Sequence, residues 1–338
     1  MKYESSNTAN VPSPLDIAEE IFIMQDGFDA CCLEVFRFQS VYNPIYSAYL
    51  TGLNIDCQDV LSVEEIPFLP VELFKTHKIL CEGFKPKQVF SSSGTTGTLQ
   101  SKHYVALPSL YVESFRRCFS LFYGEIKDYC VLALLPSYLE REGSSLVFMA
   151  QDLINRSGHP ESGFYLHNPE ELHKQLLKLE KAGQKTLLLG VTYALLDFAE
   201  ANSMKLNHTM IMETGGMKGR RKELVREELH EILCSKLGVD TIHSEYGMTE
   251  LLSQAYSQGN GIFHCPPWMK IRARDTNDPL TAVGIGKTGG MNVIDLANLF
   301  SCSFIATQDL GKVYKDGSFE IIGRFDSSDV RGCNLMVL

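Results

Sequence analysis

The spacing of hydrophobic and polar positions changes along the chain, and it begins with a helical region. An amphipathic stretch runs from Phe28 to Tyr42, which is typical of a helix with one buried face. An earlier helix is expected to begin at Ser13-Pro14, because proline is favoured at the first helical position and Asp16 adds an acid to the first turn. We therefore expect residues 1–87 to be a mainly helical part of the same domain as the residues that follow.

From Gln88 onward, short apolar runs alternate with helical segments. The runs cover residues 88–90, 129–136, 185–191, 209–216 and 240–247, and helices are expected near 107–123, 144–155 and 168–183. The last of these helices has Asn168 as its cap, Pro169 at its first position and Gly183 at its end. Apolar strands that alternate with helices indicate βαβ units and a mostly parallel sheet covered on both faces.

After Gly261 the pattern changes again, to short strands separated by Gly and Asp turns. The runs "KIRARD", "MNVIDL", "FIATQDL" and "SFEIIGR" predict a small antiparallel or barrel-like module. The predicted fold class is therefore α/β, with mostly parallel sheets flanked by helices and a small β-rich module. We assign this body to residues 88–323 and a short tail to residues 324–338.

Composition narrows the class of protein. Hydrophobic residues make up 44% of the chain and charged residues 21%, as in ordinary globular proteins. The net charge of -10 argues against binding to nucleic acid or to an anionic membrane surface. No signal-like N-terminus or membrane-spanning run is present in the sequence, so we expect a cytoplasmic protein. The ten cysteines form no zinc-like or disulfide-like pattern.

The segment Ser91–His103, "SSSGTTGTLQSKH", is the first with recognisable chemistry. Glycine lets backbone N–H groups approach an anion, and the hydroxyl groups add donors, so the segment suits a phosphate. It lacks the Gly-Lys-Ser/Thr of a Walker loop. Taken alone, it is equally consistent with a flexible turn.

Three further segments, two of which follow predicted strands, also suit a nucleotide. "HSEYGMTE" ends in a hydroxyl and a carboxylate that suit a phosphate-bound Mg²⁺. "ETGGMKGRR" combines a glycine pair with three cations, and "TQDLGKVYKDGSFEIIGR" supplies an Asp and an Arg that suit ribose hydroxyls. Four such segments in this order indicate a nucleotide site.

The motifs "SSGTTG", "EYGMTE", "DLG" and the Gly-Arg-x-Asp of "GRFD" resemble the core motifs of the adenylate-forming superfamily. The segments "LLPSYLEREGSSLVFM", "ETGGMKGRRKEL", "CPPWMK" and "DVRGCNL" are similar to its LuxE-like branch, the acyl-protein synthetases of bacterial fatty acid reductase. The resemblance extends from Phe90 to the C-terminus. It implies the large N-terminal-type domain of the superfamily, ATP and Mg²⁺ as cofactors, and activation of a carboxylic acid, in this branch a fatty acid.

The resemblance also implies a role for each matching residue. It assigns the ATP phosphates to the glycine-rich segment, Ser93, Gly94, Thr95, Thr96 and Gly97. It assigns adenine contacts to residues that follow two strands, namely Gly215, Gly216, Glu245, Tyr246 and Gly247. Thr249 would contact the α-phosphate and Glu250 would bind Mg²⁺. Asp309 and Arg324 would bind the ribose hydroxyls.

Two departures from the superfamily pattern change this interpretation. Leu99-Gln100-Ser101 replaces the usual Pro-Lys-Gly, with Lys102 displaced. The sequence also stops soon after Asp326, where the hinge to a lysine-bearing C-terminal domain would lie, so that domain is expected to be absent. Since attack of one anion on another needs positive charge nearby, we expect other cations to act there, with Lys218 and Arg220 as catalytic candidates beside Arg221 and Lys102.

Cys333 follows Gly332, which matches the glycine that enters the active site during thioester formation in the superfamily. The LuxE-like resemblance implies acylation of this cysteine and delivery of the acyl group to a partner acyl reductase. Ten residues of extended chain between Gly323 and Cys333 would span up to ~35 Å. Two alternatives stay open: transfer of the acyl group to coenzyme A or a carrier protein, and a non-catalytic nucleotide-binding scaffold for a reductase.

Overall fold

The computed structural model describes residues 14–23, 26–93, 99–136, 143–215 and 224–325. Its helices are α1 (Pro14–Glu20), α2 (Phe28–Tyr42), α3 (Pro44–Gly52), α4 (Leu73–Thr76), α5 (Pro108–Tyr123), α6 (Ser145–Ser157), α7 (Pro169–Ala182), α8 (Thr192–Ala201) and α9 (Arg226–Leu237). Its strands are β1 (Leu69–Pro70), β2 (Gln88–Ser91), β3 (Lys102–Val105), β4 (Cys130–Leu134), β5 (Gly163–Phe164), β6 (Thr186–Val191), β7 (Thr209–Thr214), β8 (His243–Tyr246), β9 (Ala255–Ser257), β10 (Ile262–His264), β11 (Met269–Arg274), β12 (Thr288–Asp295), β13 (Phe304–Val313) and β14 (Phe319–Arg324).

The helices follow the signals in the sequence closely. α2 has the predicted bounds, and α5 and α7 each have proline in the first turn. Gly183 ends α7 in the left-handed conformation, with φ 66°, which glycine adopts without steric cost. Asn168 occupies the N-cap position, but its side chain makes no capping hydrogen bond.

One large sheet contains both the parallel and the antiparallel strands. Its order is β11-β12-β13-β14-β10-β9-β8-β7-β6-β4-β5. Strands β4 to β8 pair in parallel, and their apolar runs are buried, as the alternation with helices predicted. The strands after Gly261 are antiparallel, as predicted, and they join the parallel strands through β9 and β10. The α/β fold class is confirmed.

The N-terminal helical region packs against the β-rich end of the chain. β1 pairs in parallel with β13, so a segment of this region completes the sheet. On α2, Gln39 donates hydrogen bonds to the carbonyl groups of Asn298 and Leu299. Asn43, which caps α3, donates to the carbonyl of Ser301.

The strand that carries the glycine-rich segment belongs to a hairpin. β2 pairs with β3 in a separate two-stranded antiparallel sheet. The sequence predicted β2 but not β3, because the residues of β3, "KHYV", form no apolar run. In the described part of the chain, no helix has the length and apolar character needed to span a bilayer.

Candidate functional site

The predicted site residues cluster where the sheet changes from parallel to antiparallel. β7 ends at Thr214 and β8 at Tyr246, and β8 is followed by the antiparallel β9. Because parallel strands share one carboxyl edge, Gly215 and Gly247 leave the sheet at the same edge. Open α/β sheets bind ligands at such an edge, where the strand order or direction changes.

Tyr246 and Asp309 connect two of the sequence motifs. The hydroxyl of Tyr246 donates to Oδ2 of Asp309 at 2.8 Å. Asp309 lies opposite Arg324 in the β13–β14 register, and the Arg324 Nε atom is 3.4 Å from Asp309 Oδ1. Burial raises the pKa of the Asp309 carboxyl, although Tyr246 and Arg324 oppose the shift. The ribose-binding pair expected from the sequence is therefore adjacent to the motif "EYGMTE".

A bulge in the β13–β14 pairing sets the position of Asp309. The register shifts between Leu310 and Gly311. A Cβ atom at Gly311 would overlap the carbonyl oxygen of Glu320 on the neighbouring strand. The glycine of "DLG" is therefore required by the close approach of two backbones.

Glu245 and Glu213 are buried carboxyl groups on neighbouring strands, one register position apart and therefore on opposite faces of the sheet. Burial and then the charge of Glu213 raise the pKa of Glu245 to about 8. Burial alone would raise the pKa of Glu213 as well, but His230, Arg226 and Ser244 together hold it below its ordinary value. At neutral pH the pair therefore carries one proton, on Glu245.

Gly247 makes room for that carboxyl group. A Cβ atom at Gly247 would overlap the Glu245 Oε1 atom and contact the side chain of Gln254. The glycine that follows Tyr246 therefore lets Glu245 occupy its buried position.

Glu250 is the predicted metal ligand, and it is buried beside the β2–β3 hairpin. Its side chain is 5% exposed. Burial raises its pKa, while a hydrogen bond with Ser101 and the charges of Arg324 and Lys75 oppose the shift. One carboxylate completed by phosphate oxygens and water suits Mg²⁺, which seldom uses an all-protein cage. In the part of the chain that the structure describes, no group of three or more His, Cys, Asp or Glu residues could hold a metal by itself.

The residues on either side of the glycine-rich segment are joined in the β2–β3 hairpin. The Ser92 N–H donates to the Ser101 carbonyl, and the Ser101 N–H donates to Ser92 Oγ, which closes the segment between them. Ser93 is exposed at the end of the described hairpin, and Lys102 is exposed on β3. Ser101 therefore contacts both the hairpin and Glu250.

Three buried residues outside the predicted set hold the backbone after β8. His103 and Asn298 contact the carbonyl groups of Thr249 and Glu250. Asp295 accepts hydrogen bonds from Leu252 and Ser253. None of the three lies in a recognisable sequence motif, and only recognition of β3 would have placed His103 on a buried face with Val105.

Several predicted residues lie outside the described residues. They are Gly94, Thr95, Thr96, Gly97, Gly216, Lys218, Arg220 and Cys333. Their assignments, like the role of the tail, stay predictions. Of the described set, Glu245, Tyr246, Thr249, Glu250, Asp309 and Arg324 belong to one connected group.

Comparison with known proteins agrees with the motifs. The profile of the family described as "Acyl-protein synthetase, LuxE" matches residues 169–338. No protein of curated function gives a significant sequence match.

Solved structures share the fold at low sequence identity. ATP-bound MatB from Rhodopseudomonas palustris is 19% identical, with a TM-score of 0.53, over 70% of this chain and 47% of that one. A 2-hydroxyisobutyryl-CoA ligase in complex with 2-HIB-AMP and CoA is 12% identical, with a TM-score of 0.62, over 87% and 73%. A long-chain-fatty-acid–CoA ligase from Archaeoglobus fulgidus is 15% identical, with a TM-score of 0.50, over 73% and 53%. The chain spans about half the length of the first of these proteins, and the adenylate-forming fold is confirmed.

Proposed function

The chain belongs to the LuxE acyl-protein synthetase family, and on this basis we propose that it activates a carboxylic acid with ATP and transfers the acyl group to its own Cys333. The carboxylate attacks the α-phosphorus of ATP, which gives an acyl-adenylate and releases pyrophosphate. The Cys333 thiolate then attacks the acyl carbonyl carbon, and AMP leaves as the thioester forms. A fatty acid is the proposed substrate class.

The convergence of three motifs carries this proposal. The Tyr246–Asp309 hydrogen bond joins "EYGMTE" to the pair Asp309 and Arg324. Ser101 joins the glycine-rich hairpin to Glu250. The residues proposed to bind the metal and the ribose therefore lie close together at one edge of the sheet, beside the β2–β3 hairpin.

The Asp309 carboxylate suits the ribose of a nucleotide. One of its oxygens accepts from Tyr246 and the other faces Arg324. A carboxylate has about four lone-pair sites, so acceptor capacity is left for the two ribose hydroxyls. Tyr246 and Arg324 thus contact different oxygens of the carboxylate.

The first step brings two anions together, so positive charge is needed at the α-phosphate. We assign that charge to Lys218 and Arg220, with Thr249 as a hydroxyl donor to the same phosphate. Glu250 would hold Mg²⁺, whose charge would offset that of the phosphates. Burial of Glu250 keeps water from competing for its oxygens.

The second step separates this function from that of a coenzyme A ligase. The thiolate is the reactive form of cysteine. Arg331, two residues before Cys333, favours that form, whereas Asp326 and Asp329 oppose it. An acyl reductase is the proposed acceptor of the acyl group, because a thioester is the activated form from which a hydride donor can produce an aldehyde.

Replacement of the proposed nucleophile provides the test. Cys333→Ser is expected to keep carboxylate-dependent pyrophosphate release and to lose hydroxylamine-sensitive labelling by a radioactive fatty acid. Intact-mass measurement of the wild type with ATP, Mg²⁺ and a panel of acids would identify the acyl group by its mass. Labelling of the Cys333→Ser variant at the wild-type level would contradict the assignment.

Transfer to coenzyme A is the second candidate, favoured by the likeness to a ligase solved with 2-HIB-AMP and CoA. It predicts acyl-CoA formation that survives Cys333→Ser and depends on added coenzyme A. Absence of any carboxylate-dependent pyrophosphate exchange in the wild type would instead favour a nucleotide-binding scaffold.

A further inference from the structure

A buried histidine and a buried asparagine link the glycine-rich hairpin to the segment with the proposed catalytic Thr249 and Glu250. The His103 Nδ1 atom, on β3, donates to the carbonyl of Thr249 at 2.9 Å. The His103 Nε2 atom lies 2.9 Å from Asn298 Oδ1. The Asn298 Nδ2 group donates to the carbonyl of Glu250 at 2.8 Å.

Both side chains are completely enclosed. His103 and Asn298 have no exposed surface, and the ring of Phe74 packs edge-on against the imidazole at 5.7 Å between centroids. A hydrogen bond in such surroundings is not in competition with water, so its loss leaves a buried polar group without a partner. Loss of either contact is therefore expected to be costly in free energy.

The contacts act on a segment that regular secondary structure does not hold. β8 ends at Tyr246, and Thr249 and Glu250 lie in the turn that follows it. Their carbonyl groups accept from side chains that belong to distant parts of the chain, at 146 and 48 positions in sequence. The position of this turn is thus set by His103 and Asn298.

Asn298 is itself held by a contact with helix α2. Its carbonyl accepts from Gln39 on α2, and it belongs to the short 3-10 turn Leu296–Asn298 at the end of β12. Asp295, at the start of the same turn, accepts from the Leu252 and Ser253 amides. One turn of the β-rich end therefore holds the backbone from Glu250 to Ser253.

From this geometry we infer that His103 and Asn298 are positioning residues, which set the location of Thr249 and Glu250 relative to the glycine-rich hairpin. This inference rests on the proposed adenylation reaction. The two residues touch no reacting atom, and they act through the two carbonyl groups that they fix. Small displacements of catalytic groups lower rates strongly, so the effect is expected on turnover.

The chain offers a closely matched control for Asn298. Asn43 is equally buried and donates its side-chain amide to the carbonyl of Ser301 at 2.7 Å. In both residues, replacement by aspartate exchanges one buried amide donor for an oxygen while the shape stays the same. Aspartate at 43 also retains an acceptor for the α3 cap. Only Asn298 contacts the proposed catalytic turn.

The test compares Asn298→Asp, His103→Gln and Asn43→Asp. We expect Asn298→Asp and His103→Gln to lower kcat for carboxylate-dependent ATP–pyrophosphate exchange by about 10- to 100-fold, with the KM of the acid within about twofold. Asn43→Asp should lower the melting temperature by a similar amount to Asn298→Asp but keep kcat within about twofold. Hydrogen exchange provides a readout without substrate, because peptides that cover residues 247–254 should lose protection in Asn298→Asp and His103→Gln only.

The outcomes separate this inference from the proposed function. Wild-type kcat and wild-type protection of residues 247–254 in a folded Asn298→Asp or His103→Gln variant would overturn the inference. An equal loss of kcat in Asn43→Asp would also overturn it, since the effect would then be general loosening. If the wild type shows no exchange activity, the proposed function fails, and the hydrogen-exchange comparison alone decides whether the turn is held as described.

Discussion

Two parts of the candidate site are positioned in different ways. At the β13–β14 pair, strand register places Asp309 opposite Arg324. A bulge shifts the register between Leu310 and Gly311, next to this pair. In the turn after β8, side chains from β3 and from the end of β12 hold Thr249 and Glu250 by their carbonyl groups. The first part depends on backbone pairing, and the second depends on individual buried side chains.

The difference predicts which substitutions each part tolerates. Where strand register positions the residues, a small change in the backbone should lower the free energy of unfolding strongly. Loss of an exposed side chain there should change it little. Where buried side chains position the residues, removal of one such side chain should lower the free energy of unfolding strongly. The following predictions test this contrast, from the largest expected effect to the smallest.

Gly311→Ala should have the largest effect. The added Cβ atom would overlap the Glu320 carbonyl oxygen, and the strands would have to separate at the bulge. We expect a loss of about 3 kcal/mol in the free energy of unfolding, as for other overpacked sites. Gly323→Ala on the facing strand is the control, because no atom lies within 4 Å of its Cβ position. Urea unfolding measures both, and equal losses would contradict the bulge argument.

Asp295→Ala tests the side-chain anchors of the β8 turn. It would leave the Leu252 and Ser253 amides and the Ser253 hydroxyl without their buried acceptor. We expect a loss of about 2 kcal/mol in the free energy of unfolding. Asp295→Asn keeps an acceptor oxygen and should lose less. If the two variants unfold at the same urea concentration, the carboxylate does not hold the turn.

Glu245→Gln tests the buried carboxylate pair through its pH dependence. Because the pKa of Glu245 is about 8 in the folded protein, the folded state binds a proton that the unfolded state releases. The wild type should therefore lose stability as pH rises from about 5 to 8, by at most about 1.4 kcal/mol per pH unit from this group. Glu245→Gln should flatten that slope, so its stability relative to the wild type should increase steadily as pH rises from about 5 to 8. Parallel stability profiles of the two proteins would show that Glu245 is ionised when folded.

Arg324→Gln should have the smallest effect on stability. The side chain is 66% exposed, so its pairing with Asp309 is screened by solvent. We expect a change within about 0.5 kcal/mol in the free energy of unfolding, while the KM for ATP should rise if Arg324 binds the ribose. A large drop in stability with an unchanged KM would assign Arg324 to the fold instead.

Sequence motifs indicated the candidate residues of both parts, but not the side chains that hold the second part in place. Asp309 and Arg324 lie in a motif, and the strands that carry them are evident from their alternation. The roles of His103, Asn298 and Asp295 can be recognised only in the folded structure, where segments distant in sequence contact each other. A contact between residues 195 positions apart, such as that of His103 with Asn298, leaves no local pattern.

The fold also combines features with local sequence signals and features without them. Long apolar runs and helix ends are local signals, so the bounds of α2 and the parallel strands were predictable. The short strand β3 and the joining of the β-rich end to the parallel sheet depend on pairing between separate segments, which composition and periodicity do not encode.

Because β1 pairs with β13, the N-terminal region cannot complete its packing until β13 has been synthesised. The N-terminal helices emerge first, yet the surface that receives Asn43 is made by Ser301, 258 positions later. The apolar faces of α2 and α3 therefore stay uncovered until the segment around Ser301 has been synthesised. During that interval we expect a chaperone to bind them.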